Sequence, residues 1–215
     1  FPGTAVITSA GEAMVSEVAD RPALVVATPG AEPRASGGYG AALLLDSWAL
    51  LGRQDLRAAE DTLRRWMAAA ALVRARDEGG VVTVVAEAAV PTVQALIRWD
   101  PVGHAEAELA ARTEVALPPS VHMAALDGVA EAVAALLDEV RLPDSAELLG
   151  PVPLPAGARR PPGTPVDVAV TRMLVRASRE QGLALAAELR RGVAVVSARQ
   201  THEPVRVQID PLQIG

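Results

Sequence analysis

Continuous apolar runs, not alternating ones, mark the first half of the chain. Ala23–Thr28, Ala41–Asp46 and Gly80–Ala86 are short, Val/Leu-rich stretches. That pattern predicts strands buried on both faces of a parallel sheet. Between the second and third, Leu56, Ala59, Leu63, Trp66, Met67 and Ala70 recur at helical spacing, which predicts a helix over Asp55–Arg76. Further helices are predicted over Pro91–Trp99 and His104–Arg112. Strand alternating with helix defines an α/β lobe.

After Pro118-Pro119 the pattern restarts. Strands are predicted at Val121–Leu126, Leu148–Val152, Val166–Val175 and Val205–Ile209, and helices at Val129–Val140 and Ser178–Val195. Ser178 with Gln181 three residues later reads as a capping box. The Pro/Gly/Arg-rich stretch 153–165 reads as a mobile loop. The order β-α-β-β-α-β predicts an α+β ferredoxin-like (split βαβ) sandwich. A domain boundary falls near residue 115, giving units of 1–114 and 115–215.

Composition narrows the chemistry. All 20 basic residues are arginine, and Lys, Asn and Cys are absent, a bias that a high-GC genome would write. Without cysteine there is no disulfide, thiolate nucleophile or cysteine-zinc site. No apolar run reaches the roughly 18 residues of a membrane helix. No secretory signal is visible and the chain opens at Phe1-Pro2-Gly3 without Met, so a piece of a longer cytoplasmic protein is expected, with no membrane partner. His104, His122 and His202 have no metal-ligand spacing, and Ser36 and Ser197 lack a nucleophile-elbow context. No self-contained catalytic constellation is found.

Charge is uneven. Residues 1–155 carry 11 arginines against 21 acids, whereas residues 156–215 carry 9 against 5. A basic end on an acidic body suits an anionic partner. The candidate contacts are Arg159, Arg160, Arg172, Arg176 and Arg179. Arg172 and Arg176 share a strand face, and guanidinium groups match phosphates or carboxylates in a bidentate fork. With only 2% aromatic residues, base stacking is a poor candidate for readout.

Three proline landmarks carry a family resemblance: Ala116-Leu117-Pro118-Pro119, Leu149-Gly150-Pro151-Val152-Pro153, and Val205 to Pro211 ending in Asp210-Pro211. Phe1-Pro2-Gly3, Leu44-Leu45-Asp46, the Asp55/Arg57/Glu60 spacing and Ala107–Arg112 add to it. In order and spacing they resemble the second helicase lobe and C-terminal region of the primosomal protein N′ (PriA) family of replication-restart helicases. The resemblance implies a RecA-like parallel-sheet lobe ahead of the small domain. It also implies forked or single-stranded DNA, the acidic C-terminal tail of single-stranded-DNA-binding protein, and other primosome proteins as partners.

The departures from that family bear on ATP. Its Gly-Thr-x-x-x-x-Lys-Gly motif stands here as Ala27-Thr28-Pro29-Gly30-Ala31-Glu32-Pro33-Arg34. Its Gln-Val-Ala-Gly-Arg-Ala-Gly-Arg motif falls on Ala68–Ala75, with Leu72 and Ala75 at the finger positions and Arg74 one step away. If that stretch is helical, Arg74 is turned about 100° off the required face. The degenerate positions Thr28, Leu72 and Arg74 lead to the expectation of no ATP hydrolysis by this lobe. No cofactor is expected in this chain, ATP belonging only to an intact parent. Gly37-Gly38-Tyr39-Gly40 leads into a strand and reads as a turn, not a phosphate loop. An active helicase with its ATP site upstream, a pure protein-interaction module and an unrelated α/β enzyme are the alternatives.

Overall fold

The computed structural model describes residues 3–199 and 203–214. Phe1, Pro2 and His202, named above, lie outside the described residues. The chain divides into two compact units. The first comprises residues through Arg53 together with Arg57–Glu106, and the second Gln54–Leu56 with Ala107 onward.

The first unit is built on short parallel strand pairs. β1 (Ala5–Ser9) pairs with β3 (Ala23–Ala27), β2 (Glu17–Val18) with β4 (Arg34–Ala35), and β5 (Ala41–Leu44) with β6 (Val81–Val84). Between β5 and β6 run α1 (Ser47–Leu51) and α2 (Ala58–Ala70), and α3 (Pro91–Arg98) follows β6. Leu63, Trp66 and Ala69 of α2 and Val93, Ala95 and Leu96 of α3 bury against Leu44. Each large apolar side chain so enclosed is worth about 1.5–3 kcal/mol.

Two expectations for this unit need correction. The strands are not buried on both faces: Val6, Leu24, Val26, Leu43 and Val81 are all exposed. The predicted helix ends at Ala70 instead of Arg76, because Leu72–Arg74 pairs with Tyr39. The Tyr39 amide donates to the Leu72 carbonyl (2.9 Å), and the Arg74 amide to the Tyr39 carbonyl (2.9 Å). β1, β2, β4 and α1 lie in stretches where the apolar pattern was too short to announce them.

α4 (Pro101–Glu114) leads into the second unit, whose order is β7 (Val121–Gly128), α5 (Ala130–Glu139), β8 (Glu147–Pro153), β9 (Thr171–Ser178), α6 (Gly182–Arg199) and β10 (Arg206–Ile209). The four strands form one antiparallel sheet in the order β10-β7-β9-β8. Alternation along β7 and β9 sends Ala124, Leu126, Val175 and Ala177 to the helix side, where Val133 and Leu136 of α5 and Leu185 and Leu189 of α6 meet them. The opposite side chains, Met123, Ala125 and Leu174, pack with Leu117, Leu149 and Ile214.

β9 begins at Thr171, five residues later than the pattern suggested. Val166 is apolar but exposed, and the intervening residues close a loop instead of extending the ladder. The capping box at Ser178 also fails. Residues 179–181 form a single 3₁₀ turn with no side-chain cap from Ser178. Gln181 instead accepts from the amide and hydroxyl of Ser145 (3.0 and 2.5 Å), and the Ser145 hydroxyl accepts from the Ser178 amide (3.0 Å).

Candidate functional site

The five candidate arginines do not form one patch. Arg159 and Arg160 lie in the loop ahead of β9, Arg172 and Arg176 on β9, and Arg179 just beyond it. Eight residues of strand at about 3.3 Å each separate its two ends by about 23 Å.

Their surroundings sort them further. Arg172 is 2% exposed. Its Nε and Nη2 donate to Asp127 Oδ1 and Oδ2 (2.7 and 3.0 Å), and Nη1 donates to the Gln213 carbonyl (2.8 Å). Register sets this up, since Arg172 sits directly opposite Asp127 across the β7–β9 ladder. Arg206 reaches the same carboxylate at 3.3 Å. Arg172 is therefore withdrawn from the surface. Arg176 stands opposite Glu147 and donates twice to its Oε2 (2.8 and 2.6 Å). Arg160 folds back on its own loop, donating to the carbonyls of Pro165 (2.8 Å) and Val168 (2.6 Å).

Arg159 and Arg179 are exposed, and among the described residues their guanidinium groups take no hydrogen bond or ion pair. Arg190, on the outer side of α6, is in the same state. Its neighbour Arg191 is not: it bonds Glu188 and donates to the Glu139 carbonyl at the end of α5 (2.5 Å). The hydrogen bonds from Arg191 and from the Arg141 amide hold the Glu188 carboxyl below its ordinary range, and Glu188 raises Arg191.

The degenerate helicase positions fall as follows. Thr28 follows β3: its amide extends the ladder to the Ser9 carbonyl (3.1 Å), and its carbonyl accepts from the Ala31 amide (2.9 Å) to close the turn. Leu72 lies in the turn that ends α2, and Arg74 follows Val73, which bridges to Tyr39, so the helical rotation expected of Arg74 does not apply. The Arg74 side chain instead lies across Gly38 and Gly40. A Cβ on Gly40 would come within 2.8 Å of Nη2, and one on Gly38 within 2.9 Å of Cγ. Gly38 also has a φ of 69°, so the glycine run is a turn made narrow enough for this arginine to cross. The Tyr39 hydroxyl donates to the Pro33 carbonyl (2.8 Å), and burial together with Glu32 pushes its pKa up.

The proline landmarks turn out to hold the second unit together. Leu117 and Leu149 pack on the same sheet face as Ile214. Asp210, at φ 46°, accepts the Met123 amide on Oδ1 (3.0 Å) and His122 Nδ1 on Oδ2 (2.8 Å), and its own amide donates to the Met123 carbonyl (2.7 Å). Arg112 is buried and donates to the Leu56 carbonyl (2.5 Å) and to Glu108 (3.1 Å), while the Leu56 amide donates to the Leu212 carbonyl (3.0 Å). No group of three or more His, Cys, Asp or Glu suited to a metal ion occurs among the described residues. Among those residues no helix is long and apolar enough to cross a membrane.

The second unit is thus a helix-backed antiparallel sheet clamped by its proline landmarks, and residues 113–212 match the family model described as primosomal protein N C-terminal domain. The whole chain is 73% identical over 222 residues to "Probable replication restart protein PriA" of Mycobacterium tuberculosis (strain CDC 1551 / Oshkosh), and 72% identical over 215 residues to the protein of that name in Mycobacterium leprae (strain TN). Both alignments cover 100% of this chain and 34% and 33% of the relatives, so the chain spans about a third of their length. The chain belongs to the PriA family of primosomal proteins.

Proposed function

We propose that this chain serves replication restart as a DNA-structure-binding and partner-docking part, without strand separation of its own. The observation that carries the reading is the 72–73% identity along the whole chain to proteins named for replication restart. In this reading the first unit is a degenerate RecA-like lobe, in keeping with its parallel pairs and crossover helices. The second is ferredoxin-like, in keeping with its βαββαβ order and its 4-1-3-2 strand arrangement. The intact protein works in the cytoplasm, and any ATP it uses is held by residues outside this chain.

Forked or single-stranded DNA would be met by phosphate contacts from Arg159, Arg179 and Arg190, three exposed arginines of the second unit whose side chains take no hydrogen bond or ion pair among the described residues. Arg172, buried against Asp127, is not among these contacts. The acidic tail of single-stranded-DNA-binding protein and other primosome proteins are the partners for the same groups, because a guanidinium fork suits a carboxylate as well as a phosphate. Fluorescence anisotropy of a labelled three-way fork, titrated with the chain at 50 and 200 mM salt, tests the DNA reading. Affinity that falls steeply with salt supports it, and no binding at 50 mM rejects it. Titration with an acidic tail peptide then tests the protein-partner reading separately.

A further inference from the structure

The second unit carries an open cavity of about 270 Å³ beside the end of α6. Leu136 of α5, Val193 and Val196 of α6, and Pro204 and Val205 ahead of β10 make its apolar walls. The three valines pack against the core cluster that holds Leu136, so these walls rest on the core of the unit. Two polar groups stand among them, the Ser197 hydroxyl and the Glu203 carboxylate, both on exposed residues. Arg199 and Arg206, the cations nearest to them in sequence, are bound to Glu139 and Asp127. Among the described residues the Glu203 carboxylate takes no hydrogen bond or ion pair.

Size and charge select the occupant. Small-molecule sites run from about 300 to 1,000 Å³. This cavity falls below that range, at the scale of one large apolar side chain. Its carboxylate repels a phosphate or an acidic peptide, so it is selective in the opposite sense to the exposed arginines of the same unit. An apolar group that enters meets a hydroxyl and an unpaired carboxylate beside it. A cation carried next to that apolar group gains a charge-assisted hydrogen bond.

We propose that this cavity docks a basic protein partner, one leucine-sized side chain filling it while an adjacent arginine or lysine pairs with Glu203. The site stands whether or not the arginines of this unit bind DNA. Isopentylammonium, isopentanol and isovalerate carry the same branched apolar group with a positive, neutral or negative end. Each is titrated into the isotope-labelled chain and followed by the amide resonances of Val193, Val196, Ser197 and Val205. Saturable shifts are expected for the ammonium, with affinity falling through the alcohol to the carboxylate. Glu203→Gln should weaken the ammonium about two- to fivefold, the range of an exposed ion pair, and leave the alcohol unchanged. Ser197→Trp, at an exposed position, should close the cavity and abolish binding with the thermal melt retained. A helical peptide presenting leucine beside arginine should displace the ammonium, and the same peptide with glutamate for arginine should not. Equal affinity of the three probes, an ammonium indifferent to Glu203→Gln, or shifts that persist in Ser197→Trp overturn the proposal. The absence of saturable shifts also overturns it, as does a leucine–arginine peptide that fails to displace the ammonium, since the occupant is then a small amine at most.

Discussion

Arg172 and Asp127 face each other across the β7–β9 ladder and join through two hydrogen bonds of 2.7 and 3.0 Å, both side chains essentially sealed from water. Truncating one partner of such a pair strands a buried charge, at a cost of about 3–5 kcal/mol. Arg172→Ala should therefore lower the urea midpoint of the chain by most of its stability. Replacing the pair together by Leu and Met should cost much less, although Arg206, which shares the Asp127 carboxylate, would then lose its partner. An Arg172→Ala protein that lost DNA binding would be reporting on its fold. An Arg172→Ala chain with an unchanged midpoint would refute this assignment.

Glu188 gives the second unit a dependence on acid. Arg191 and the Arg141 amide favour its ionised form in the folded state, which sets its folded pKa below the ordinary value of about 4.5. A depressed folded pKa contributes stability that is present above the unfolded value and is lost as pH falls through the folded one. The Glu188 contribution should be intact at neutral pH and disappear below about pH 4.5. Arg191, raised in turn, keeps its charge throughout that window. Thermal melts from pH 7 to pH 3 should show a shallower acid decline in Glu188→Gln than in the parent, and the difference should shrink with salt.

Much of the second unit was legible because its helices bury one face each and its inner strands, β7 and β9, bury both, so that helical spacing and continuous apolarity each tracked burial. Val133, Leu136 and Val175 fell where the pattern put them. Val166 misled because apolarity marks burial only on average, and here it is 90% exposed on a loop. The capping box at Ser178 had the right spacing, but Ser145, more than thirty residues away, takes the Ser178 amide first. The arginines part company for a similar reason. Sequence shows a cation's place along a strand, whereas its counter-ion is set by cross-strand register, as with Asp127 and Glu147. In the first unit, apolar runs located the strands but not their bare faces, since a run reads the same whether both faces or one are covered.

Gly182 opens α6 directly against the His122 ring. A Cβ there would lie 2.1 Å from Cδ2 and 2.5 Å from Cγ, and the ring is held on its other side by Asp210 at 2.8 Å. The imidazole cannot yield without breaking that bond, so Gly182→Ala should destabilise by about 1–3 kcal/mol through overpacking. In a His122→Ala background the three nearest atoms that the Cβ would meet are gone, and the cost should fall. A double-mutant cycle by chemical denaturation measures this directly. Equal costs in the two backgrounds would place the strain elsewhere.

Arg159 and Arg160 are neighbours with opposite fates, and they separate DNA contact from loop support. Arg160 donates to Pro165 and Val168 and so holds the shape of the loop, while the Arg159 guanidinium is uncommitted. Under the DNA-binding proposal, Arg159→Ala should leave thermal stability unchanged and weaken fork binding evenly across sequences. It should also reduce the slope of log affinity against log salt by about one. Arg160→Ala should instead raise the proteolytic sensitivity of residues 155–169 and weaken binding only through the disordered loop. Arg160→Met, keeping bulk but no donors, should behave like Arg160→Ala. If Arg159→Ala binds the fork as tightly as the parent at every salt concentration, this loop is not part of the DNA surface. Arg179 and Arg190 would then be the groups to substitute next.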